Sequence, residues 1–214
     1  VTVLTKPFAC PGQCIFCPND VRMPKSYIAS EPGAQRALMF RFDPFTQVYN
    51  RLRAYKNIGH PTDKVELLVL GGTWSYYPEK YRVWFIKECF RAMNLFGNVK
   101  KDGIQNEYLN VREYLKSDYN KTLRDKEGDK PYNQLIQTKN YKKDFEDRLV
   151  LKGNWKDSQL KDLKADLINE QDFNSKGQTR CVGLVLETRP DCINKAEVLS
   201  LRELGATKIQ LGVQ

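Results

Sequence analysis

Three cysteines close together, in Cys10-Pro-Gly-Gln-Cys14-Ile-Phe-Cys17, are the side chains of this sequence best suited to chemistry. Thiolates are the usual protein ligands of iron–sulfur clusters, and four of them saturate a [4Fe–4S] cube. A CxxxCxxC loop supplies only three, which leaves one iron free for a ligand from outside. Pro11, Gly12 and Pro18 supply the bends that wrap one loop around one cluster. Zinc is the rival reading, but a structural zinc site takes four Cys or His ligands, often as two close pairs. His60 is the only histidine, and Cys89, Cys181 and Cys192 lie far off in sequence, as core or near-core cysteines would. Three thiols in one loop, with no secretory leader before them, suit metal binding in a reducing compartment better than disulfides. The spacing favours a cluster; zinc and purely structural cysteines stay open.

The elements that must position this loop can be read from periodicity and punctuation. Val1–Leu4 is a short apolar run that feeds the cysteines as a strand. Asp43-Pro44 is a helix start, with Asp as N-cap and Pro at the first helical position. Phe45, Val48, Tyr49, Leu52 and Tyr55 follow at helical spacing, and Gly59 stops the run. Val65–Leu70, ended by Gly71-Gly72, reads as a buried parallel strand. A second helix is predicted from near Pro78, burying Tyr81, Trp84, Phe85, Cys89, Ala92 and Phe96. Val182–Leu186 is a third strand. Asn194 with Glu197 resembles a capping box that opens a third helix, with Val198, Leu201 and Leu204 inward and Gly205 as its stop. Lys208–Val213 is the fourth strand. Strands alternating with helices imply βαβ crossovers and a parallel sheet.

Between these flanks the composition changes. Residues 97–179 are dense in Lys, Asp, Asn and Gln, and the stretch is predicted to be a solvated, mostly helical insertion. Its scattered aromatics, Tyr108, Tyr114, Trp155 and Phe173, argue against full disorder. Three segments are therefore expected: residues 1–96, the insertion at 97–179, and 180–214, where the alternating pattern resumes.

The chain has 214 residues, is 41% apolar and 29% charged, and carries a net charge of +9. That is the composition of an ordinary globular protein. No apolar run reaches the roughly 20 residues that span a bilayer, so a cytoplasmic protein without membrane contact is expected. Residues 1–60 hold eight Lys/Arg against three Asp/Glu, which favours a polyanionic partner such as a nucleic acid. A merely Lys-rich surface is the plainer alternative.

Beyond the cysteine loop the order of short motifs is specific. It runs through Ser26-Tyr27, Glu31-Pro32, Arg36, Asp43-Pro44, Gln47-Val48, Ile58-Gly59-His60, Asp63-Lys64-Val65-Glu66 and Gly71-Gly72-Thr73. It returns in Arg180–Asp191, with Glu187-Thr-Arg-Pro-Asp191, and in Leu204–Gln214. In this order the sequence resembles the Elongator catalytic subunit family, the radical S-adenosylmethionine (SAM) tRNA carboxymethyluridine synthases. The cysteine loop alone identifies only the radical SAM superfamily; the other motifs narrow it.

The resemblance implies an α/β fold: a partial radical SAM (βα) barrel of parallel strands, cut after about the fourth strand, with a charged helical insertion. It implies a [4Fe–4S] cluster on Cys10, Cys14 and Cys17, and SAM as cofactor. Gly71, Gly72 and Thr73 would meet the SAM amino group, and Glu187 and Gln214 would contact SAM. Lys64 would lie at the site of acetyl-CoA, the co-substrate. The reaction implied is radical addition of an acetyl-derived carboxymethyl group to C5 of the wobble uridine of tRNA. Other Elongator-like subunits, or self-association, are further partners it suggests. An acetyltransferase-like domain and more barrel strands, also implied, are not among these residues, so the chain is expected to be part of a longer protein and inactive alone.

Each residue has a plainer reading: Gly71-Gly72 as a turn, Lys64 as a surface charge, His60 as a helix-end cap. Besides an interaction protein whose charged insertion docks partner subunits, two other functions remain in view. One is a different radical SAM reaction, resembling the oxygen-independent coproporphyrinogen oxidases. The other is a zinc-stabilised tRNA-binding module.

Overall fold

The structure, a computed structural model, describes residues 1–98 and 116–213. Four strands, β1 (Thr2–Leu4), β2 (Lys64–Leu70), β3 (Arg180–Thr188) and β4 (Lys208–Leu211), form one parallel sheet in the order β1-β2-β3-β4. Every neighbour is the next strand in sequence, so each crossover carries the chain one place further along the sheet. With right-handed crossovers this puts the connecting helices on one face, as in a segment of a (βα) barrel.

Those helices are α2 (Pro44–Asn57), α3 (Glu79–Asn98), α6 (Leu160–Ser175) and α7 (Lys195–Glu203). Their apolar stripes meet alternate residues of the sheet. Val3, Val65, Leu67, Val69, Leu184 and Leu186 share one core with Val48, Phe85, Leu163, Leu167 and Leu201. The predicted caps form: the Asp43 carboxylate accepts from Thr46 N at 2.7 Å, and the Asn194 side chain accepts from Glu197 N at 2.9 Å. The Glu197 side chain does not close the capping box; it takes Arg82 at 2.7 Å instead. Gly59 and Gly205, with φ of +85° and +90°, follow the ends of α2 and α7 as expected.

Several expectations change. A helix that periodicity did not suggest, α1 (Pro32–Met39), follows the cysteine loop and buries Ala34, Ala37 and Leu38. Its signal was Pro32 at the first helical position, with alanines in place of large apolar residues. Val198, expected inward, is exposed because α7 turns only Leu201 to the core, with Leu204 buried just past its end. Phe96 is partly rather than fully buried, and β4 ends at Leu211 instead of Val213.

The stretch expected to be a solvated insertion also builds core. Helix α6 packs along α3, with Leu163 and Leu167 in the main core. Helices α4 (Tyr119–Glu127) and α5 (Tyr132–Leu135), and the helical turns at 139–149, bury Leu123, Tyr132, Leu135, Tyr141 and Phe145 against Val21, Met23, Leu38 and Phe42. Among the described residues of this stretch most of the charge lies outside and a narrow apolar stripe lies inside, which averaging over composition conceals. Tyr108 and Tyr114 lie outside the described residues. Among the described residues no helix is long and apolar enough to cross a membrane.

Candidate functional site

The cysteine loop leaves β1 at the C-terminal edge of the sheet, the edge at which parallel α/β folds bind ligands. Aromatic hydroxyls hold that exit in place. Tyr77 OH donates to Lys6 O at 2.7 Å and shares a 2.8 Å hydrogen bond with Thr5 Oγ1, while Lys6 N donates to Tyr81 OH at 3.2 Å. On the other side of β1, Gln47 pairs with Leu4 through both ends of its amide, accepting at 2.9 Å and donating at 3.0 Å, much as a neighbouring strand would. The turn after β2 crosses close to this exit. Gly71 has φ +147°, and a Cβ there would stand 1.8 Å from Thr5 Oγ1, so no side chain fits.

The loop then brings its three thiols to one cleft, of about 460 Å³ including its open mouth, together with Gly71, Glu187 and Arg189. Each sulfur has a different partner. Cys10 Sγ lies 3.3 Å from Thr73 Oγ1, and Cys17 Sγ lies 3.3 Å from Ser26 Oγ. Cys14 Sγ accepts from Arg189 Nη1 at 3.1 Å. Ser26 adopts φ +85°, costly for a residue with a Cβ; its hydroxyl thereby faces Cys17. Among the described residues, no group of three or more His, Cys, Asp or Glu is placed to hold a metal ion.

Glu187, near the end of β3, is half-buried at the same cleft. Burial pushes its carboxyl up, and the Tyr27 hydroxyl, donating at 3.3 Å, pulls it part of the way back. Lys25 also lines the cleft; its ammonium is held by Asn19 and lies 5.1 Å from the centre of the Tyr132 ring. Beneath the loop, Asp20 is clamped by Arg22 at 2.8 and 2.9 Å and accepts from Ala29 N and Asn120, both at 3.1 Å. The loop is thus tied to α4 as well as to the sheet.

Cys10, Cys14, Cys17, Gly71, Gly72, Thr73 and Glu187 are therefore gathered at one place. Lys64 is not. It is exposed at the first position of β2, six residue steps along the strand, about 20 Å, from Leu70. There it borders a shallow pocket with His60, Tyr55 and Glu66 at the opposite edge of the sheet. His60 N closes the end of α2 on Tyr55 O at 3.0 Å, close to its plainer reading. Gln214 lies outside the described residues, although Gly212, two positions earlier, lines the cleft. Cys89 is fully buried in the core, where burial pushes its thiol up.

Four residues at or beside the cleft were not singled out from the sequence: Lys25, Tyr27, Arg189 and Asn133. Tyr27 and Arg189 stood inside family-like motifs and could have been weighed. Asn133 sits in the charged stretch and gave no signal.

A singly wound parallel sheet with three thiols, a glycine turn and a carboxylate around one cleft defines an α/β protein with a thiol-lined site at the ligand-binding edge of its sheet. The chain is homologous along its whole length to curated proteins of two names. It is 31% identical over 220 residues to the tRNA uridine(34) acetyltransferase of Methanocaldococcus infernus, covering 29% of that protein. To the protein of the same name from Dehalococcoides mccartyi it is 30% identical, covering 32%. To human Elongator complex protein 3 it is 26% identical, covering 29%. The chain thus spans about a third or less of the length of these relatives. No family model matches. A solved structure of Methanocaldococcus infernus Elp3 with an N-terminal deletion aligns with all of this chain and 29% of its own, at 23% identity and a TM-score of 0.48. The sequence likeness to these curated relatives along the whole chain bears out the resemblance read from the motifs.

Proposed function

We propose that this chain is the cluster-bearing part of a radical SAM enzyme that adds a carboxymethyl group, derived from acetyl-CoA, to C5 of the wobble uridine of tRNA. The observation that carries the reading is the meeting of Cys10, Cys14 and Cys17 with Gly71 and Glu187 in one cleft. The names of the relatives support tRNA uridine 34 as the target.

The donor chemistry of the cleft fits the group, while the three sulfurs stand apart, each on its own partner, and are not drawn to a single ion. The cleft is lined by three thiols, with no fourth cysteine or histidine among its lining residues, so a [4Fe–4S] cluster held there would keep one iron for an outside chelator. When bound, the cluster would supply one electron to SAM, whose C–S cleavage would release methionine and a carbon radical able to take a hydrogen atom from an unactivated C–H bond.

The chain's own residues supply the binding. The turn at Gly71-Gly72 lets backbone carbonyls come close to a ligand's ammonium. Glu187, held toward the cleft by Tyr27, accepts hydrogen bonds from ligand N–H or O–H groups. Lys25 offsets a ligand carboxylate. The excess of Lys and Arg in residues 1–60 serves the phosphates of tRNA. Lys64 would serve acetyl-CoA from the far edge of the sheet, outside the thiol cleft.

Anaerobic reconstitution of the full protein should give about four iron and four sulfide per chain, with a reduced-state signal that changes when SAM is added. Cys10→Ala, Cys14→Ala and Cys17→Ala should each abolish it. Stoichiometric zinc without iron would sink the reading and leave the zinc-stabilised module. Acetyl-CoA hydrolysis that needs Lys64 and is stimulated by tRNA separates this reaction from other radical SAM chemistry.

A further inference from the structure

We propose that Arg189 sets the reduction potential of the cluster carried by Cys10, Cys14 and Cys17. The inference rests on the cluster reading above and adds a role for a residue outside its ligand set.

Three observations carry it. First, the sulfurs are treated unequally. Cys10 and Cys17 meet neutral hydroxyls, at Thr73 and Ser26, whereas Cys14 receives a charged donor, Arg189 Nη1, at 3.1 Å. Second, the guanidinium is held rather than free. Asp191 accepts from Nε at 2.9 Å and from Nη2 at 2.7 Å, which leaves Nη1 for the thiol. Third, room is kept for it: a Cβ on Gly12 would stand 2.1 Å from Nη1 and 2.8 Å from Cζ. Gly12 is not among the glycines of positive φ, so space and not backbone conformation is what a side chain there would violate. Lys25, a second cation lining the cleft, is engaged by Asn19 and the Tyr132 ring.

Reduction adds an electron to a cluster and spreads negative charge onto its sulfurs. Net charge and hydrogen bonds to the sulfurs are among the factors that tune such potentials, and a charge-assisted bond is about twice as strong as a neutral one. Arg189 therefore favours the reduced state and raises the potential. Its side chain is 28% exposed, so solvent weakens the effect without removing it.

The experiment is a redox titration of the reconstituted full-length protein, followed by the signal of the reduced cluster, with iron content measured alongside. Arg189→Gln should shift the midpoint to a more negative value, and Arg189→Lys should fall between it and the wild type. Gly12→Ala should shift the midpoint the same way as Arg189→Gln, because its methyl group evicts the end of a flexible side chain while every charge stays in the chain. If Arg189→Gln fails to hold iron, Arg189→Lys and Gly12→Ala decide the matter. A merely structural arginine would lower iron content or thermal stability but leave the midpoint of the remaining cluster where it was; that result overturns the proposal. A wild type that takes up no cluster defeats this inference and the function together. A wild-type cluster with variant midpoints unchanged defeats the inference alone.

Discussion

Asn133 holds Cys10 by both sides of its backbone: its Oδ1 accepts from Cys10 N at 3.1 Å, and its Nδ2 donates to Cys10 O at 2.7 Å. The two residues are 123 positions apart. A loop that must present thiols cannot satisfy its own backbone by forming a strand or helix, so a side chain of α5 does so. Asn133→Ala should cost about 1–3 kcal/mol and reduce iron per chain after reconstitution. Asn133→Asp, which keeps the acceptor and loses the donor, should lie between. Denaturant unfolding and iron assay check both; full iron retention by the alanine variant would refute the anchoring role.

Asp20 makes the cysteine loop sensitive to acid. Burial by itself would push its carboxyl up, but the hydrogen bonds and charge of Arg22, joined by Asn120, outweigh burial and hold it below the usual carboxylate range. A folded pKa below the unfolded value means a stabilising contribution present above about pH 4. It is lost as pH falls through the folded value. Asp20→Asn should therefore be less stable than the wild type at neutral pH, and the gap should close in acid. Unfolding midpoints measured across that range test the sign; a gap constant with pH would contradict it.

Neighbouring residues of α6 should behave oppositely. Leu167 is 2% exposed in the main core and Ile168 is 55% exposed. Leu167→Ala should destabilise by about 2–5 kcal/mol through lost burial and a residual cavity. Ile168→Ala should stay within about 0.5 kcal/mol. Equal effects would mean that α6 is not packed as described.

Lys64 and Glu187 lie at opposite edges of the sheet and should separate functionally. Lys64→Ala should leave iron content and the response of the cluster signal to SAM unchanged. Glu187→Gln should keep the iron and weaken that response. A loss of SAM response in the Lys64 variant would show that the lysine reaches the thiol cleft after all.

Much of the secondary structure could be read from the chain because its causes are local. The N-cap of Asp43 needs only Thr46, that of Asn194 only Glu197, and the stripe of α3 only a period of 3.6 residues. Reading failed where a contact replaced a pattern. Helix α1 uses small residues against a neighbour, and the burial of Val198 depended on how α7 is rotated. The charged stretch is helical, as its composition suggested, but its part in the core was not legible. Averaged composition hides Leu123, Tyr132, Leu135 and Phe145, which complete the second core.

The sequence by itself determined the chemical inventory and its local placing. Three thiols stand in one loop after a strand, glycines follow the next strand, and a carboxylate stands near the end of the third. Chain proximity and strand periodicity suffice for these. Only the tertiary structure decided which of these residues meet. The parallel sheet puts every strand's C-terminal end on one edge, so Glu187 joins the cysteines while Lys64, at the start of β2, faces away from them. Arg189 at Cys14 and Asn133 at Cys10 are contacts across 175 and 123 residues. No local rule specifies such pairs, because they form only when the packed core brings distant loops within hydrogen-bonding distance.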